Sequence, residues 1–281
     1  MLGRTPFMTF LTYAVLIAGV ALVALPVWVT FVASTQTLDQ VLATPMSLLP
    51  GDRLLANYAE VLSAGAGNTT APVARMLFNS LVMALAIALG KIAISLLSAF
   101  ALVYFRFRLR QTAFWLVFVT LMLPVEVRIM PTYQVMADLG LIDTYAGLTL
   151  PLIASATATF LFRQFFMTVP DELAEAAKID GAGPMRFFWH VLLPLSSTSI
   201  AALFVIQFVY GWNQYLWPLL VTTQESMYPV VIGIKRMIAG GDAATEWPLV
   251  MATAMLAMLP PVAVVVLAQK WFIKGLVESD K

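Results

Sequence analysis

"EAAKIDGAGPMRFFWHVLLPL", residues 175–195, separates two strongly apolar segments of the chain. The stretch predicts a helical hairpin, because Gly181 and Gly183 can end a first helix and Pro184 can begin a second one. Connections between packed helices usually have about 2–8 residues, and the loop over 167–195 is much longer. The length of this hairpin therefore indicates a role beyond joining its neighbours.

The composition of the whole chain is that of a membrane protein. Of its 281 residues, 61% are hydrophobic and 11% are charged, and the mean hydropathy is +0.89. Soluble domains are about 45–50% apolar, and a bilayer-crossing helix needs about 20 apolar residues. We therefore expect an all-α integral membrane protein with one transmembrane domain over residues 1–281. Its six predicted spans are 12–33, 76–104, 113–134, 145–166, 198–220 and 249–272.

The same composition excludes several kinds of site. Absence of cysteine rules out disulfides and thiolate metal sites. Because His190 is the only histidine, a metal site would have to consist of carboxylates alone. The net charge of +1 gives no indication of a nucleic-acid partner, and we expect none.

Lysine and arginine favour the cytoplasmic side of a membrane protein. With the N-terminus inside, the inner segments hold the larger basic set: Arg4, Arg106, Arg108, Arg110, Arg163, Lys178, Arg186, Lys270, Lys274 and Lys281. The outer segments hold the smaller set: Arg53, Arg75, Arg128, Lys235 and Arg236. Both termini and the loop 167–195 are thus predicted to be cytoplasmic, and the loop 34–73 to be periplasmic.

The spacing of the hairpin resembles a known signature. Glu175-Ala176-Ala177, then Gly181, then Leu193-Pro194 is similar to the EAA motif of the transmembrane subunits of binding-protein-dependent ABC importers, with Val191 in place of the usual Ile. The stretches 121–151 and 208–220 extend the likeness to the carbohydrate-type subgroup that includes the maltose permease. Within it, the chain looks most like subunits that import sn-glycerol 3-phosphate. The resemblance implies the type I ABC importer permease fold.

The resemblance also implies partners. Such a permease pairs with a sister permease in a bacterial cytoplasmic membrane, binds two copies of a cytoplasmic ATPase, and receives its solute from a periplasmic binding protein. The ATPase uses ATP and magnesium, and no cofactor is expected on this chain. Gly90-Lys91 lacks the preceding Gly and the following Ser or Thr of a phosphate-binding loop. We therefore do not expect this chain to be an enzyme.

In that family the EAA loop is the coupling helix, which sits in a groove of the ATPase. Small residues would allow close packing, and an acidic one can pair with a basic partner. Leu173, Ala176 and Ala177 fall on one helix face, and Thr168-Val-Pro-Asp171 is close to a capping box that would start the helix at about 169. The candidate coupling residues are Glu175, Ala176, Ala177, Asp180, Gly181, Leu193 and Pro194.

Polar residues within the predicted spans are candidates for a translocation path, because such groups are costly in a bilayer. Lys91 lies in the second span, with Ser95 on the same face. The fifth span carries a stripe of Gln207, Tyr210 and Gln214, with Asn213 beside it. Interhelical hydrogen bonding is the alternative role for both sets, and the sequence leaves the two roles open.

A further candidate lies in the third span, where Glu126 and Arg128 stand between Pro124 and Pro131. Two prolines and two charges suggest a broken helix that lines a cavity. Arg128 could form a bidentate contact with a phosphate. Alternatively, it extends to the outer interface or pairs with an acidic neighbour.

Together these features predict a subunit of an ATP-driven importer for a small polar solute, either sn-glycerol 3-phosphate or glycerophosphodiesters. A neutral sugar or oligosaccharide is the alternative solute. The alternatives from other classes are a secondary transporter, for which paired discontinuous helices in repeated halves are lacking, and an intramembrane enzyme, for which clustered catalytic groups are lacking.

Overall fold

The computed structural model describes residues 6–65, 69–120, 125–238 and 245–278, and all regular elements in these ranges are helical. The α-helices are α1 (Pro6–Ser34), α2 (Leu38–Leu42), α3 (Leu54–Ala64), α4 (Val73–Tyr104), α5 (Arg110–Val119), α6 (Val125–Asp138), α7 (Tyr145–Thr149), α8 (Ala156–Thr168), α9 (Asp171–Ile179), α10 (Pro184–Phe187), α11 (Leu193–Leu195), α12 (Ser197–Trp212), α13 (Leu216–Val221), α14 (Val230–Ile238) and α15 (Trp247–Glu278). Leu150–Leu152 and Glu225–Met227 form 3-10 turns, and Phe188–Leu192 forms a π-helical turn.

Three helices are individually long and apolar enough to cross a bilayer. They lie at Phe7–Ser34, Val73–Tyr104 and Trp247–Gln269, with mean hydropathies of 2.5, 2.2 and 2.3. These segments coincide with the first, second and sixth predicted spans. In the most apolar 18-residue stretch of α1, only 6% is buried inside the protein, against 50% in the corresponding stretch of α4. The surface of α1 is therefore left for lipid or for another subunit.

Two further candidate spans are bent pairs of helices. The predicted span 145–166 consists of Tyr145–Leu152 and Ala156–Thr168, which meet at 48°. Ser155 is the N-cap of the second helix, because its side chain accepts a hydrogen bond from the N–H of Ala158. The other pair, Pro184–Leu195 with Ser197–Trp212, bends by 73° next to the buried Ser196.

The predicted fifth span, 198–220, is not one continuous helix. Helix α12 ends at Trp212, and α13 begins only at Leu216. Pro218 explains the break, because its ring would clash with the carbonyl of Gln214 in an uninterrupted helix. For the predicted third span, 113–134, α5 and α6 cover the two ends, and residues 121–124 lie outside the described residues.

The chain divides into two compact units. The first comprises residues 1–75 and 233–258. In it Asn57 donates from Nδ2 to the carbonyls of Ser34 and Gln36, both at 3.0 Å, which ties the outer loop to the end of α1. The second comprises 76–232 and 259–281 and contains every candidate site residue. The single permease domain over 1–281 stays a prediction.

Two separate hydrophobic clusters lie in the described part of the second unit. One joins α4, α8 and the hairpin through buried aromatic rings, including Phe100, Phe162, Phe166, Phe187 and Phe188. The other joins α4 to the 216–227 segment through residues such as Met83, Ile87 and Trp217. Through the first cluster the hairpin packs on α4 and α8.

Candidate functional site

The turn of the hairpin is built around Gly181. Helix α9 ends at Ile179, and Gly181 has φ +72°, in the left-handed region that glycine adopts without strain. The N–H of Ala182 donates to the Ala177 carbonyl at 2.8 Å, and the N–H of Gly181 donates to the Lys178 carbonyl at 3.0 Å. This hydrogen-bond pair is a Schellman motif, which satisfies the last carbonyls of the helix. The predicted reversal at Gly181 is thus present.

The start of the hairpin differs from the prediction. Helix α9 begins at Asp171, with Pro170 as N-cap and no side-chain cap. Thr168 cannot cap it, because Thr168 is the last residue of α8 and its hydroxyl donates back to the Phe165 carbonyl at 2.7 Å. The predicted capping box is therefore wrong. Asp171 and Glu172 in the first turn still provide the negative charge that a helix N-terminus favours.

The second arm begins at Pro184, as predicted. Helix α10, the π-helical turn and α11 form a helical run through Leu195. His190 is exposed, and its Nδ1 lies 2.9 Å from the Arg186 carbonyl oxygen.

The inner face of the hairpin packs on the protein's own core. Ala174 and Ala177 are half-buried against the aromatic cluster of α4 and α8. The ring of Tyr104 at the end of α4 lies 5.3 Å from the ring of Phe187, and that of Phe100 lies 5.0 Å from the ring of Phe188. These contacts connect the hairpin directly to the long helix α4.

The outer face of α9 has no partner within the described chain. Glu175, Ala176 and Asp180 are exposed, as are Leu173 at 39% and Ile179 at 86%. Ala177, expected on this face, lies on the inner side instead, where it packs against the aromatic cluster. Of the two candidates at the end of the loop, Leu193 packs on the core and Pro194 is exposed.

The two polar stripes of the predicted spans meet in the second unit. The ammonium of Lys91 on α4 donates to Oε1 of Gln207 on α12 at 3.0 Å. The same ammonium lies 3.6 Å from the ring centroid of Tyr210, one turn further along α12. Lys91 and Gln207 are buried, at 6% and 7% exposure, and Tyr210 is 37% exposed. We name Lys91, Gln207 and Tyr210 the lysine cluster.

Ser95, which shares the face of Lys91, belongs to an interhelical contact. It is fully buried and donates to the Ser155 carbonyl at 3.3 Å, while Thr159 donates to Ser95 at 3.2 Å. These bonds join α4 to α8. Of the two roles that the sequence left open, hydrogen bonding between helices is the one that Ser95 performs.

The remaining residues of the fifth-span stripe lie at the break between α12 and α13. Asn213 is the exposed C-cap of α12, and Gln214 donates from Nε2 to the Tyr210 carbonyl at 3.1 Å. Both are near the lysine cluster along the chain. Neither contacts Lys91 within the described part of the structure.

Arg128 is exposed in the first turn of α6. It belongs to the same compact unit as Lys91. Helix α6 continues through Pro131, and the hydroxyl of Thr132 donates to the Arg128 carbonyl at 2.7 Å. The side chain of Glu126 lies outside the described residues, so the alternative that Arg128 pairs with an acidic neighbour stays a prediction.

Two polar residues that the sequence did not single out hold the other end of this unit together. Asn79 is fully buried; it donates to the carbonyls of Ser226 and Tyr228 and accepts from the Tyr145 hydroxyl. Asn79 is a polar residue on the buried face of the apolar helix α4, and this position could have indicated its structural role.

Asp143, the second of these, has φ +56° and binds the loop after α13. Its carboxylate accepts bonds from the N–H groups of Thr223 and Gln224 and from the Thr223 hydroxyl. Partial burial alone would raise the pKa of Asp143, but these bonds outweigh it and lower the pKa below the usual value.

Comparison with known proteins identifies the family to which the chain belongs. A family model described as "Binding-protein-dependent transport system inner membrane component" matches residues 91–278, more than half of the chain. The chain belongs to this family. The matched region includes the whole hairpin and the lysine cluster, and membership places the chain among ABC importer permeases rather than secondary transporters.

Curated relatives of this permease carry a consistent name. The chain is 60% identical to the "sn-glycerol-3-phosphate transport system permease protein UgpE" of Agrobacterium fabrum (strain C58 / ATCC 33970), over 100% of both chains. It is also 60% identical to the protein of that name from Yersinia enterocolitica, over 96% of each chain. The Rhizobium meliloti (strain 1021) protein of that name is 59% identical over 100% of both.

A solved structure shows the same fold. The permease superposes with a TM-score of 0.81 and 23% sequence identity on a chain of a bacterial ABC transporter involved in the import of the acidic polysaccharide alginate. The match covers 97% of this chain and 99% of the other. The predicted type I importer permease fold is therefore confirmed.

Proposed function

We propose that this permease is one of two membrane subunits of an ATP-driven importer of sn-glycerol 3-phosphate. The observation that carries the proposal is full-length identity of 60% to a relative named for that transport. Glycerophosphodiesters are chemically close solutes of the same importer, since they carry the same glycerol phosphate group.

The expected partners are a sister permease, two copies of a cytoplasmic ATPase and a periplasmic solute-binding protein. The exposed face of α9 supports the ATPase contact, because a small residue at Ala176 lets another surface approach closely while Glu175 offers a charge. The exposed apolar surface of α1 supports contact with lipid or with the sister subunit.

ATP and magnesium belong to the partner ATPase in this proposal, and this chain binds no cofactor of its own. Lys91 follows Gly90 but lies inside the continuous helix α4, where it bonds Gln207. A phosphate-binding loop needs a glycine-rich turn before its lysine. Within the described ranges, no group of three or more His, Cys, Asp or Glu residues could hold a metal.

The solute assignment is tested by uptake into vesicles that contain the complete importer. We expect ATP-dependent uptake of labelled sn-glycerol 3-phosphate that excess unlabelled sn-glycerol 3-phosphate suppresses and excess neutral disaccharide does not. Suppression by the disaccharide alone would contradict the proposal and favour the neutral-sugar alternative.

We further propose that the permease lies in the bacterial cytoplasmic membrane with both termini and the hairpin inside. Single cysteines report this orientation directly, because the chain has none of its own. Ser63 in the outer loop and Met185 in the hairpin are both exposed, whereas Ser196 is fully buried and would not react on either side.

The expected result is that a membrane-impermeant thiol reagent labels Ser63→Cys, and not Met185→Cys, in cells whose inner membrane is intact. Lysis should make Met185→Cys reactive, which controls for its accessibility. Labelling of Met185→Cys alone before lysis would invert the orientation.

A further inference from the structure

The lysine cluster contains a buried positive charge that has no counter-charge among the residues whose side chains the structure describes. Lys91 lies within a predicted span and is 6% exposed. Among the described residues it forms no ion pair, and its contacts are the neutral Gln207 and Tyr210 side chains. Burying an unpaired ammonium is expensive, and a neutral side chain would fill this space at lower cost. Packing alone therefore does not account for a lysine here.

The ammonium also has bonding capacity left. A lysine carries three N–H donors, and Gln207 takes one of them. Tyr210 covers the ammonium with its ring, which is a weaker partner than an anionic oxygen. An anion that displaced the ring would thus exchange a weak contact for a stronger one.

Tyr210 is the member of the cluster that an approaching solute would meet first. It is 37% exposed, whereas Lys91 and Gln207 are buried beneath it. Exposed Asn213 lies one turn further along the same helix, where α12 ends. The exposed side of the cluster therefore lies next to the break between α12 and α13, and non-helical backbone at membrane depth is tolerated where it is buried in protein or lines a water-filled cavity.

A second cation reinforces the preference for an anion. Arg128 on α6 is exposed and belongs to the same compact unit as Lys91. Together the two cations disfavour a cationic solute and favour one with negative charge. A phosphate monoester, which carries close to two negative charges at neutral pH, gains most from such a pair.

From these contacts we propose that Lys91 binds the phosphate group of the solute during translocation, with Gln207 orienting its ammonium and Tyr210 covering it between transport events. The inference rests on the proposed function, because it assumes that the solute is a phosphate ester. It assigns the phosphate contact to this subunit and to a residue inside the membrane.

The test is uptake of labelled sn-glycerol 3-phosphate by the complete importer carrying Lys91→Gln or Lys91→Arg. Glutamine can still donate a hydrogen bond to Gln207, so the first variant removes the charge and keeps that contact. We expect Lys91→Gln to lower uptake about tenfold or more and Lys91→Arg to recover part of it. Lys235→Gln, which removes an exposed cation on α14, is the matched control and should transport normally.

The outcomes separate this inference from the proposed function. If the wild-type importer does not transport sn-glycerol 3-phosphate, the proposed function fails. If it does and Lys91→Gln transports equally well, the inference alone is overturned. Should Lys91→Gln fail to assemble, the apolar pair Lys91→Met with Gln207→Leu replaces it. Assembly without uptake by that pair supports a role in binding phosphate, and assembly with normal uptake overturns it.

Discussion

Replacing Gly181 by valine should uncouple the permease from its ATPase. Gly181 has φ +72°, and a β-branched residue held there costs about 1–3 kcal/mol. A Cβ at this exposed turn would meet no other atom within 4 Å, so the cost is backbone strain and not a steric clash, and opening the two Schellman hydrogen bonds would relieve that strain. We expect ATP-driven uptake and co-purification of the ATPase to fall about tenfold or more, while the protein still inserts into the membrane.

Gly183 provides a matched control two residues away. Its φ is −71° and its ψ is 166°, a conformation that any residue before proline adopts readily, and a Cβ there also meets open space. Gly183→Val adds the same side chain without the backbone strain, so it should retain ATPase binding. Equal behaviour of the two variants would show that the left-handed turn is not needed for coupling.

Replacing Ala176 by tryptophan should block the ATPase without unfolding the hairpin. Ala176 is exposed on the outer face of α9, where an indole contacts solvent. Exposed substitutions usually change stability by no more than about 0.5 kcal/mol. If the ATPase packs closely on this face, the added volume should lower its co-purification at least about tenfold. The thermal unfolding temperature of the isolated permease should stay within a few degrees of the wild-type value.

Ala177→Trp is the informative contrast. Ala177 is half-buried against the aromatic cluster, so a large ring there overpacks the hairpin and should cost about 1–3 kcal/mol of stability. Ser63→Trp, at an exposed position of the outer loop, controls for an added indole and should bind the ATPase normally. Normal ATPase binding by Ala176→Trp would move the coupling surface away from this face of α9.

Much of the local structure could be predicted from the sequence. Long apolar runs predicted α1, α4 and α15, because a helix satisfies its own backbone hydrogen bonds in a bilayer. The reversal at Gly181 and the helix start at Pro184 were also predicted, since both depend on backbone preferences of single residues. The spacing of the hairpin was enough to indicate the family.

Local patterns failed where two signals competed over a few residues. Thr168 fits the N-cap of a following helix, but its hydroxyl bonds back into α8, which does not end until that residue. The apolar run over 198–220 predicted one span, although Pro218 within it forces two helices. A hydropathy value averaged over a span does not reveal such an interruption. The backbone is interrupted there, because proline cannot donate the helical hydrogen bond.

Only the tertiary structure decided which faces meet. Helical periodicity shows that Leu173, Ala176 and Ala177 share a side, but the aromatic cluster determines that Ala177 points inward and Ala176 outward. Ser95 is bound to α8, while Lys91 on the same face of α4 contacts Gln207, 116 residues later in the chain. Sequence spacing determines neighbours along one helix. Contacts between helices depend on how side chains of distant segments fill the space between them, and no local pattern contains that information.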